Sequence, residues 1–138
     1  MVTDLFARRA TLARSVRLLS AFRFEQSDPA RFYSALADDT AAMVGDLWPG
    51  NHHGRTVLDV GGGPGYFATA FTAAGWNYVG VEPDPREMDA AGHVGRGGPG
   101  AFVRASGLAL PFADGSVDVC LSRSEERRVG KECLRLCR

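Results

Sequence analysis

A glycine-rich stretch that follows an acidic residue is the part of this sequence whose spacing is best suited to chemistry. In Val57-Leu-Asp-Val-Gly-Gly-Gly-Pro-Gly-Tyr-Phe67, Asp59 lies two residues before Gly61, and glycines recur at Gly63 and Gly65. Glycines allow the backbone to approach a ligand closely at a helix N-terminus. Asp59 adds a carboxylate at the carboxyl end of an apolar strand, where open α/β sheets bind ligands. The stretch predicts a binding loop between a strand and a helix.

The glycine spacing disfavours a dinucleotide. A G-x-G-x-x-G loop that began at Gly61 would need a third glycine at Tyr66, and Pro64 removes one N–H donor from the loop. A loop that binds a pyrophosphate needs such donors. A NAD(P)-binding oxidoreductase fragment stays an alternative, as does a tight turn in another α/β protein.

A second acidic residue, Glu82, follows the next predicted strand, 17 residues after Gly65. A carboxylate accepts hydrogen bonds from both hydroxyls of a cis-diol, and ribose is held at this position in dinucleotide folds. The alternative interpretation is an exposed glutamate at a strand end.

Three segments together resemble the class I S-adenosylmethionine-dependent methyltransferases. They are Asp59-x-Gly-x-Gly-x-Gly65, Val79-Gly-Val-Glu-Pro-Asp84, and Leu110-Pro-Phe-x-Asp-x-Ser-x-Asp-Val119. In the small-molecule members of the family the last segment follows an aspartate that contacts adenine, and Ser106 stands at that position here. A serine hydroxyl still accepts a hydrogen bond, although an uncharged acceptor is weaker.

This resemblance implies an S-adenosylmethionine cofactor and a small-molecule methyl acceptor. It assigns the ribose to Glu82 and the adenine border to Pro83 and Asp84. The implied cofactor-binding residues are Asp59, Gly61, Gly63, Gly65, Glu82, Pro83, Ser106 and Gly107. No catalytic residue is assigned, because in the family most of the acceptor pocket lies beyond the fourth strand.

The elements that would position these residues form a Rossmann-like, doubly wound α/β fold. The predicted strands are 55–60, 76–81, 101–104 and 117–121, and the resemblance gives the order 3-2-1-4, with the family's later strands missing. Helices are predicted from Tyr66 to Ala74 and from Pro85 to Ala91, and residues 92–100, with five glycines, are predicted as a loop. Asp118 is interpreted as structural.

Two helices precede the sheet. The first, Met1–Phe24, begins at a Thr3 or Asp4 cap and is expected to pack through an apolar stripe; its arginines also fit a mitochondrial presequence or a membrane-surface helix. The second starts at Asp28-Pro29, runs to about Leu47 and ends at Trp48-Pro-Gly50. The predicted stripe of the first is Leu5, Leu12, Val16, Leu19 and Phe22, and the predicted inward residues of the second are Phe32, Leu36, Met43 and Leu47.

The composition gives no reason to expect nucleic acid, a membrane or a metal ion as a partner. The 138 residues have a formal net charge of zero, which gives no reason to expect nucleic acid as a partner. No apolar run approaches the length of a membrane span, so no integral membrane association is expected. His52-His53 is predicted as a turn without a metal, since no second ligand cluster lies nearby.

The last sixteen residues differ from the rest in composition. Residues 1–122 hold ten arginines and no lysine, whereas 123–138 hold the only lysine and two of the three cysteines. The run 123–133 looks like a translated sequencing-adapter oligonucleotide. Without this tail the charge is 10 − 13 = −3 and Cys120 alone remains, as expected for a reduced, cytoplasmic protein.

The sequence therefore predicts three segments: 1–54, helical; 55–122, a partial cofactor-binding α/β domain; and 123–138, a non-native tail. The predicted function is that of a C-terminally truncated methyltransferase whose fragment need not be active. A non-catalytic S-adenosylmethionine-binding domain is the second interpretation. The acceptor and the oligomeric state are not predicted.

Overall fold

The structure, a computed structural model, describes residues 12–48, 50–95 and 100–122. These residues fall into two compact units, divided between Asn51 and His52. The predicted caps Thr3 and Asp4 and the tail 123–138 lie outside the described residues.

The first unit contains two helices, α1 (Leu12–Phe22) and α2 (Pro29–Leu47). The predicted start of α2 is confirmed: the side chain of Asp28 accepts the N–H of Arg31, and Pro29 occupies the first turn, where its missing N–H costs no hydrogen bond. The helix ends at Trp48, also as predicted.

The predicted inner face of α2 is only partly right. Phe32 is buried, but Leu36, Met43 and Leu47 are half-buried. The other buried positions of α2 are Ala37, Asp39, Ala41 and Val44. Burial therefore follows a stripe of small side chains that leaves room for close helix packing, rather than the largest apolar residues.

The predicted packing stripe of α1 is wrong for the described residues. Val16, Leu19 and Phe22 are 58%, 77% and 58% exposed, although the Phe22 ring makes an edge contact with Phe32. The half-buried residues of this part of α1 are instead Leu18 and Ala21, so the helix is rotated away from the predicted stripe, and Arg17 forms an ion pair with the buried Asp39 of α2.

The second unit is a parallel sheet with helices. Its strands are β1 (Thr56–Val60), β2 (Asn77–Val81), β3 (Ala101–Val103) and β4 (Val119–Ser122), in the order β3-β2-β1-β4. The predicted strand order is confirmed, with all three pairings parallel. The helices are α3 (Tyr66–Ala73), between β1 and β2, and α4 (Pro85–Gly95), between β2 and β3.

The core of this unit lies between the sheet and α3. Its fully buried members are Val57, Leu58, Phe67, Phe71 and Val81. β1 contributes an almost continuous buried run, as expected for the inner strand of a parallel sheet. Two boundaries differ from prediction by more than one residue: α4 continues into the predicted loop as far as Gly95, and β4 begins two residues late. A glycine inside a helix costs only about 1 kcal/mol, so Gly92 does not end α4.

Candidate functional site

The glycine loop after β1 is fastened to the end of β2. The carbonyl oxygen of Val81 accepts the N–H of Gly61 at 2.8 Å and that of Gly62 at 3.2 Å. Since Val60 pairs with Val81 in the sheet, the chain turns immediately where the pairing ends. The loop is therefore held over the carboxyl edge of β1 and β2.

Glu82, the residue after β2, holds the glycine loop by a hydrogen bond from its side chain. Its side chain is only 9% exposed, and its Oε2 accepts the N–H of Gly63 at 3.0 Å. Its Oε1 accepts the N–H of Asp84 at 3.1 Å, which fixes the carboxylate from both sides. The two motifs that were predicted to act together are thus in direct contact.

The loop backbone takes conformations that side chains disfavour. Gly61, Gly63 and Gly65 have φ of +75°, +55° and +82°, in the left-handed region that favours glycine. A Cβ at Gly61 would meet nothing within 4 Å, so the loop faces open space there. Gly65 is the N-cap of α3, and the loop therefore leads directly into a helix N-terminus.

The third predicted segment reaches the same edge. A Cβ on Gly107 would lie 3.2 Å from Cγ1 of Val60, the last residue of β1. The neighbouring Ser106 is exposed, and its Oγ accepts the N–H of Leu108 at 3.2 Å. Pro83 is exposed beside Glu82. Loop, glutamate and Ser106-Gly107 therefore gather at the carboxyl edge of the sheet.

Asp59 differs from the other predicted site residues. Its side chain is fully buried, and its Oδ2 accepts the hydroxyl of Tyr78 at 2.7 Å. The carboxylate thus lies beneath the loop rather than on its open side. A Cβ on Gly62 would be 3.3 Å from that Oδ2.

Three residues whose atoms reach this edge were not among the predicted site residues. They are Tyr78, Gly62 and Glu87, whose Oε2 would be 3.7 Å from a Cβ at Gly63. The available signal was the extra glycine at position 62, which lies outside the alternating pattern. It has no left-handed φ, so its absent side chain had to be explained by close contact.

The opposite, amino edge of the sheet is held by Asp118. Its Oδ2 accepts the N–H of Thr56 at 2.8 Å, and its Oδ1 accepts a guanidinium N–H of Arg55 at 2.9 Å. The Thr56 N–H is the main reason that the pKa of the Asp118 carboxyl lies below its ordinary value; burial opposes this shift, and the hydrogen bond and charge of Arg55 lower the pKa further. These contacts join β1 to β4 and give Asp118 a structural role.

The paired histidines lie at this amino edge too, in the predicted turn. The His52 ring stacks on Trp76 with ring centroids 5.0 Å apart, and its Nε2 forms a hydrogen bond with the carbonyl oxygen of Ala74. Within 12–48, 50–95 and 100–122, no group of three His, Cys, Asp or Glu side chains fits a metal ion. In the same ranges no helix is long and apolar enough to cross a membrane.

The fold and the site together define a class of protein. A parallel β3-β2-β1-β4 sheet with a glycine loop after β1 and an acid after β2 is the Rossmann-like arrangement of class I S-adenosylmethionine-dependent methyltransferases. The family model described as "Methyltransferase domain" matches residues 58–138, and the chain belongs to this family. The matched range includes 123–138, which the structure does not describe.

Relatives agree with this placement. An uncharacterized methyltransferase of Mycobacterium marinum is 65% identical over an alignment of 147 positions, gaps included, which covers 99% of this chain and 58% of the relative. The chain therefore spans less than two thirds of that relative's length.

Solved structures are similar in fold. The YcgJ protein of Bacillus subtilis has a TM-score of 0.56 at 23% identity, over 70% of this chain and 45% of that one. A magnesium protoporphyrin IX methyltransferase of Synechocystis, solved with bound S-adenosylmethionine, has a TM-score of 0.56 at 22% identity, over 72% of this chain and 48% of that one.

Proposed function

We propose that the carboxyl edge of the sheet binds S-adenosylmethionine and that the protein transfers the methyl group to a small molecule. The contact between Glu82 and the N–H of Gly63 carries this proposal. It brings the ribose-binding candidate and the glycine loop within one hydrogen bond, so that both can meet the same ligand.

The hydrogen-bonding capacity of Glu82 fits a ribose. A carboxylate offers about four lone-pair positions. One on each oxygen is used, by Gly63 and by Asp84, which leaves one on each for the two hydroxyls of a cis-diol. Because backbone N–H groups already hold the carboxylate, little side-chain freedom would be lost on binding.

The surroundings of the loop favour a cationic ligand. Glu82 bonds to Gly63, and Glu87 lies near the same residue. An acid at the position of Glu82 also occurs in dinucleotide folds, so the discriminating group is Glu87, a second carboxylate beside the loop that would repel a pyrophosphate and attract a sulfonium. The open space beyond Gly61 is where the ligand would approach the backbone.

The remaining predicted residues take supporting roles in this proposal. Ser106 and Gly107 would border the adenine together with Pro83, and Gly65 would orient α3 toward the ligand. Asp59 would act from below, through the loop that it supports. When bound, S-adenosylmethionine would supply an electrophilic methyl group: a lone pair of the acceptor would attack the methyl carbon in line, and the thioether sulfur would leave with the electrons of the broken C–S bond. No catalytic residue is assigned.

Calorimetric titration of the chain with S-adenosylmethionine, S-adenosylhomocysteine and NAD tests the proposal. We expect both adenosyl ligands to bind and NAD not to bind. Binding of NAD alone would replace the proposal with an oxidoreductase fragment. Binding of both adenosyl ligands by a full-length protein that methylates no member of a metabolite panel would favour the non-catalytic alternative.

A matched pair of charge-removing variants locates the site. Glu82→Gln should weaken S-adenosylhomocysteine binding at least tenfold, because the amide replaces one acceptor oxygen with a donor. Asp114→Asn removes the same charge from an exposed turn and should leave the dissociation constant unchanged. Equal effects of both variants would mean that the site lies elsewhere.

We further propose the division into segments 1–54, 55–122 and 123–138, the last of adapter origin. Sequencing the locus in genomic DNA tests it, since a natural reading frame through codons 123–138 would exclude an adapter. The cytoplasmic location stays a prediction.

A further inference from the structure

Tyr78 of β2 links the interior of the sheet to the glycine loop. Its side chain is 2% exposed, and its hydroxyl donates to Oδ2 of the fully buried Asp59 at 2.7 Å. Hydrogen bonds from a hydroxyl to a carboxylate are among the stronger ones in proteins. The pair lies in the interior, where such a bond is expensive to lose.

Two glycines, Gly80 and Gly100, leave the space that the Tyr78 ring occupies. At Gly80 a Cβ would lie 3.3 Å from Cε1 of Tyr78 and 2.8 Å from Cδ1 of Phe102. At Gly100 it would lie 2.9 Å from Cδ1 of Tyr78. The ring therefore fills space that two missing side chains leave, and its direction toward Asp59 is set by this packing.

Gly62 makes room for the polar end of the same side chain. A Cβ there would lie 3.1 Å from the Tyr78 hydroxyl, 3.3 Å from Oδ2 of Asp59 and 3.4 Å from the Asp59 carbonyl oxygen. The Tyr78 hydroxyl and the Asp59 carboxylate thus pack directly beneath the loop backbone at Gly62, and we call this pair of groups the floor of the loop. Gly62 is also one of the two residues whose N–H groups bond to Val81.

We propose that Tyr78 is a positioning residue for the glycine loop: by holding the carboxylate of Asp59 under Gly62, it keeps the loop in the geometry that receives the ligand. The assignment to a cofactor rests on the proposed function, but the effect on the loop does not. Without the hydroxyl, the buried carboxylate loses a strong donor, and we expect it to shift toward water or toward backbone N–H groups. Either shift moves the floor beneath Gly62.

Two measurements on Tyr78→Phe test the proposal, since this variant keeps the ring and removes only the hydroxyl. Amide hydrogen exchange of the unliganded chain, read on a peptide covering residues 59–66, should become at least fivefold faster. The dissociation constant for S-adenosylhomocysteine should rise about fivefold. Thr72→Val is the control, because its buried hydroxyl has no hydrogen-bond partner among the described residues, and it should change neither quantity.

A double-mutant cycle with Asp59→Asn separates positioning from packing. If Tyr78 acts through the carboxylate, adding Tyr78→Phe to Asp59→Asn should change loop exchange less than twofold. The same change in both backgrounds would overturn the proposal, as would unchanged exchange in Tyr78→Phe. Asp59→Asn alone is the second probe should Tyr78→Phe not fold, and unchanged exchange there also overturns it.

These outcomes separate the two proposals. Faster loop exchange in a chain that binds no adenosyl ligand would support the positioning of the loop and reject the cofactor assignment. Faster exchange with an unchanged dissociation constant would show that loop geometry does not govern binding, and would overturn the role of Tyr78 toward the ligand.

Discussion

Two carboxylates, one at each edge of the sheet, fasten neighbouring strands through a backbone N–H. At the amino edge Asp118 accepts the N–H of Thr56 and is also paired with the guanidinium of Arg55. At the carboxyl edge Glu82 accepts the N–H groups of Gly63 and Asp84, and among the described residues no basic side chain pairs with it.

The difference separates a structural carboxylate from a candidate binding one. Asp118 has its charge compensated by a cation and supports the joint between β1 and β4. Glu82 is more deeply buried, is held in place by two backbone donors, and by its lone-pair count keeps one acceptor position on each oxygen. Both carboxylates accept a backbone N–H, but among the described residues only Asp118 is also paired with a basic side chain.

The largest effect is expected from Glu82→Ala. It should weaken S-adenosylhomocysteine binding by roughly 1.5–3 kcal/mol, about 10- to 150-fold, the range for hydrogen bonds to a charged group. Calorimetric titration measures it. An unchanged dissociation constant would remove Glu82 from the binding site and make the two edges alike.

Asp118→Asn should show the opposite pattern. Its amide oxygen still accepts the N–H of Thr56, but the charge that pairs with Arg55 is gone. We expect Tm to fall by a few degrees, measured by circular dichroism, with the ligand dissociation constant unchanged. A weaker ligand affinity at unchanged Tm would contradict the division between the edges.

The contribution of Asp118 to stability should depend on pH. Its carboxyl has a lowered pKa in the folded chain, so the ionised form favours folding. The stabilisation is therefore complete above the pKa that Asp118 has in the unfolded chain, about 4. It is lost as the pH falls through the lower pKa of the folded chain. Urea unfolding from pH 6 to pH 3 should show the wild type approaching Asp118→Asn, and a gap that stays constant with pH would refute this.

The smallest effect is expected from Arg55→Gln. The pair with Asp118 is partly exposed, and such pairs contribute about 0.2–1 kcal/mol. The free energy of unfolding should fall by an amount in this range at low salt, and the loss should nearly vanish at about 1 M NaCl, where screening is strong. A loss that is independent of salt would point to packing of the arginine stem instead.

Strong local signals predicted the fold well. Asp28-Pro29 marked the start of α2 because capping acts within one turn, and the strand order followed from a resemblance carried by three separate segments. Weaker periodicity failed. The apolar stripe of α1 was predicted to pack, but Val16, Leu19 and Phe22 are more than half exposed.

The site was predictable where the backbone decided its form. The glycine loop and Glu82 could be placed because strand ends meet at one edge of a parallel sheet. The direction of Asp59 could not, since pairing alone does not say whether a carboxylate at a strand end turns outward or toward a buried hydroxyl. Tyr78 looked like an ordinary strand aromatic, and only the space around Gly62 revealed its role.

The carbonyl of Val81, which accepts two loop N–H groups, couples recognition to correct assembly. A slip of one residue in the pairing of β1 with β2 would move that oxygen about 3.3 Å along the sheet. It would also turn every side chain of the slipped strand to the other face of the sheet. A misassembled chain would then have no anchor for its glycines and, under the proposed function, no affinity for adenosine derivatives. Under the proposed function, such compounds stabilise only the correctly paired form, by mass action, so screening them for a rise in melting temperature also selects conditions that yield properly folded protein.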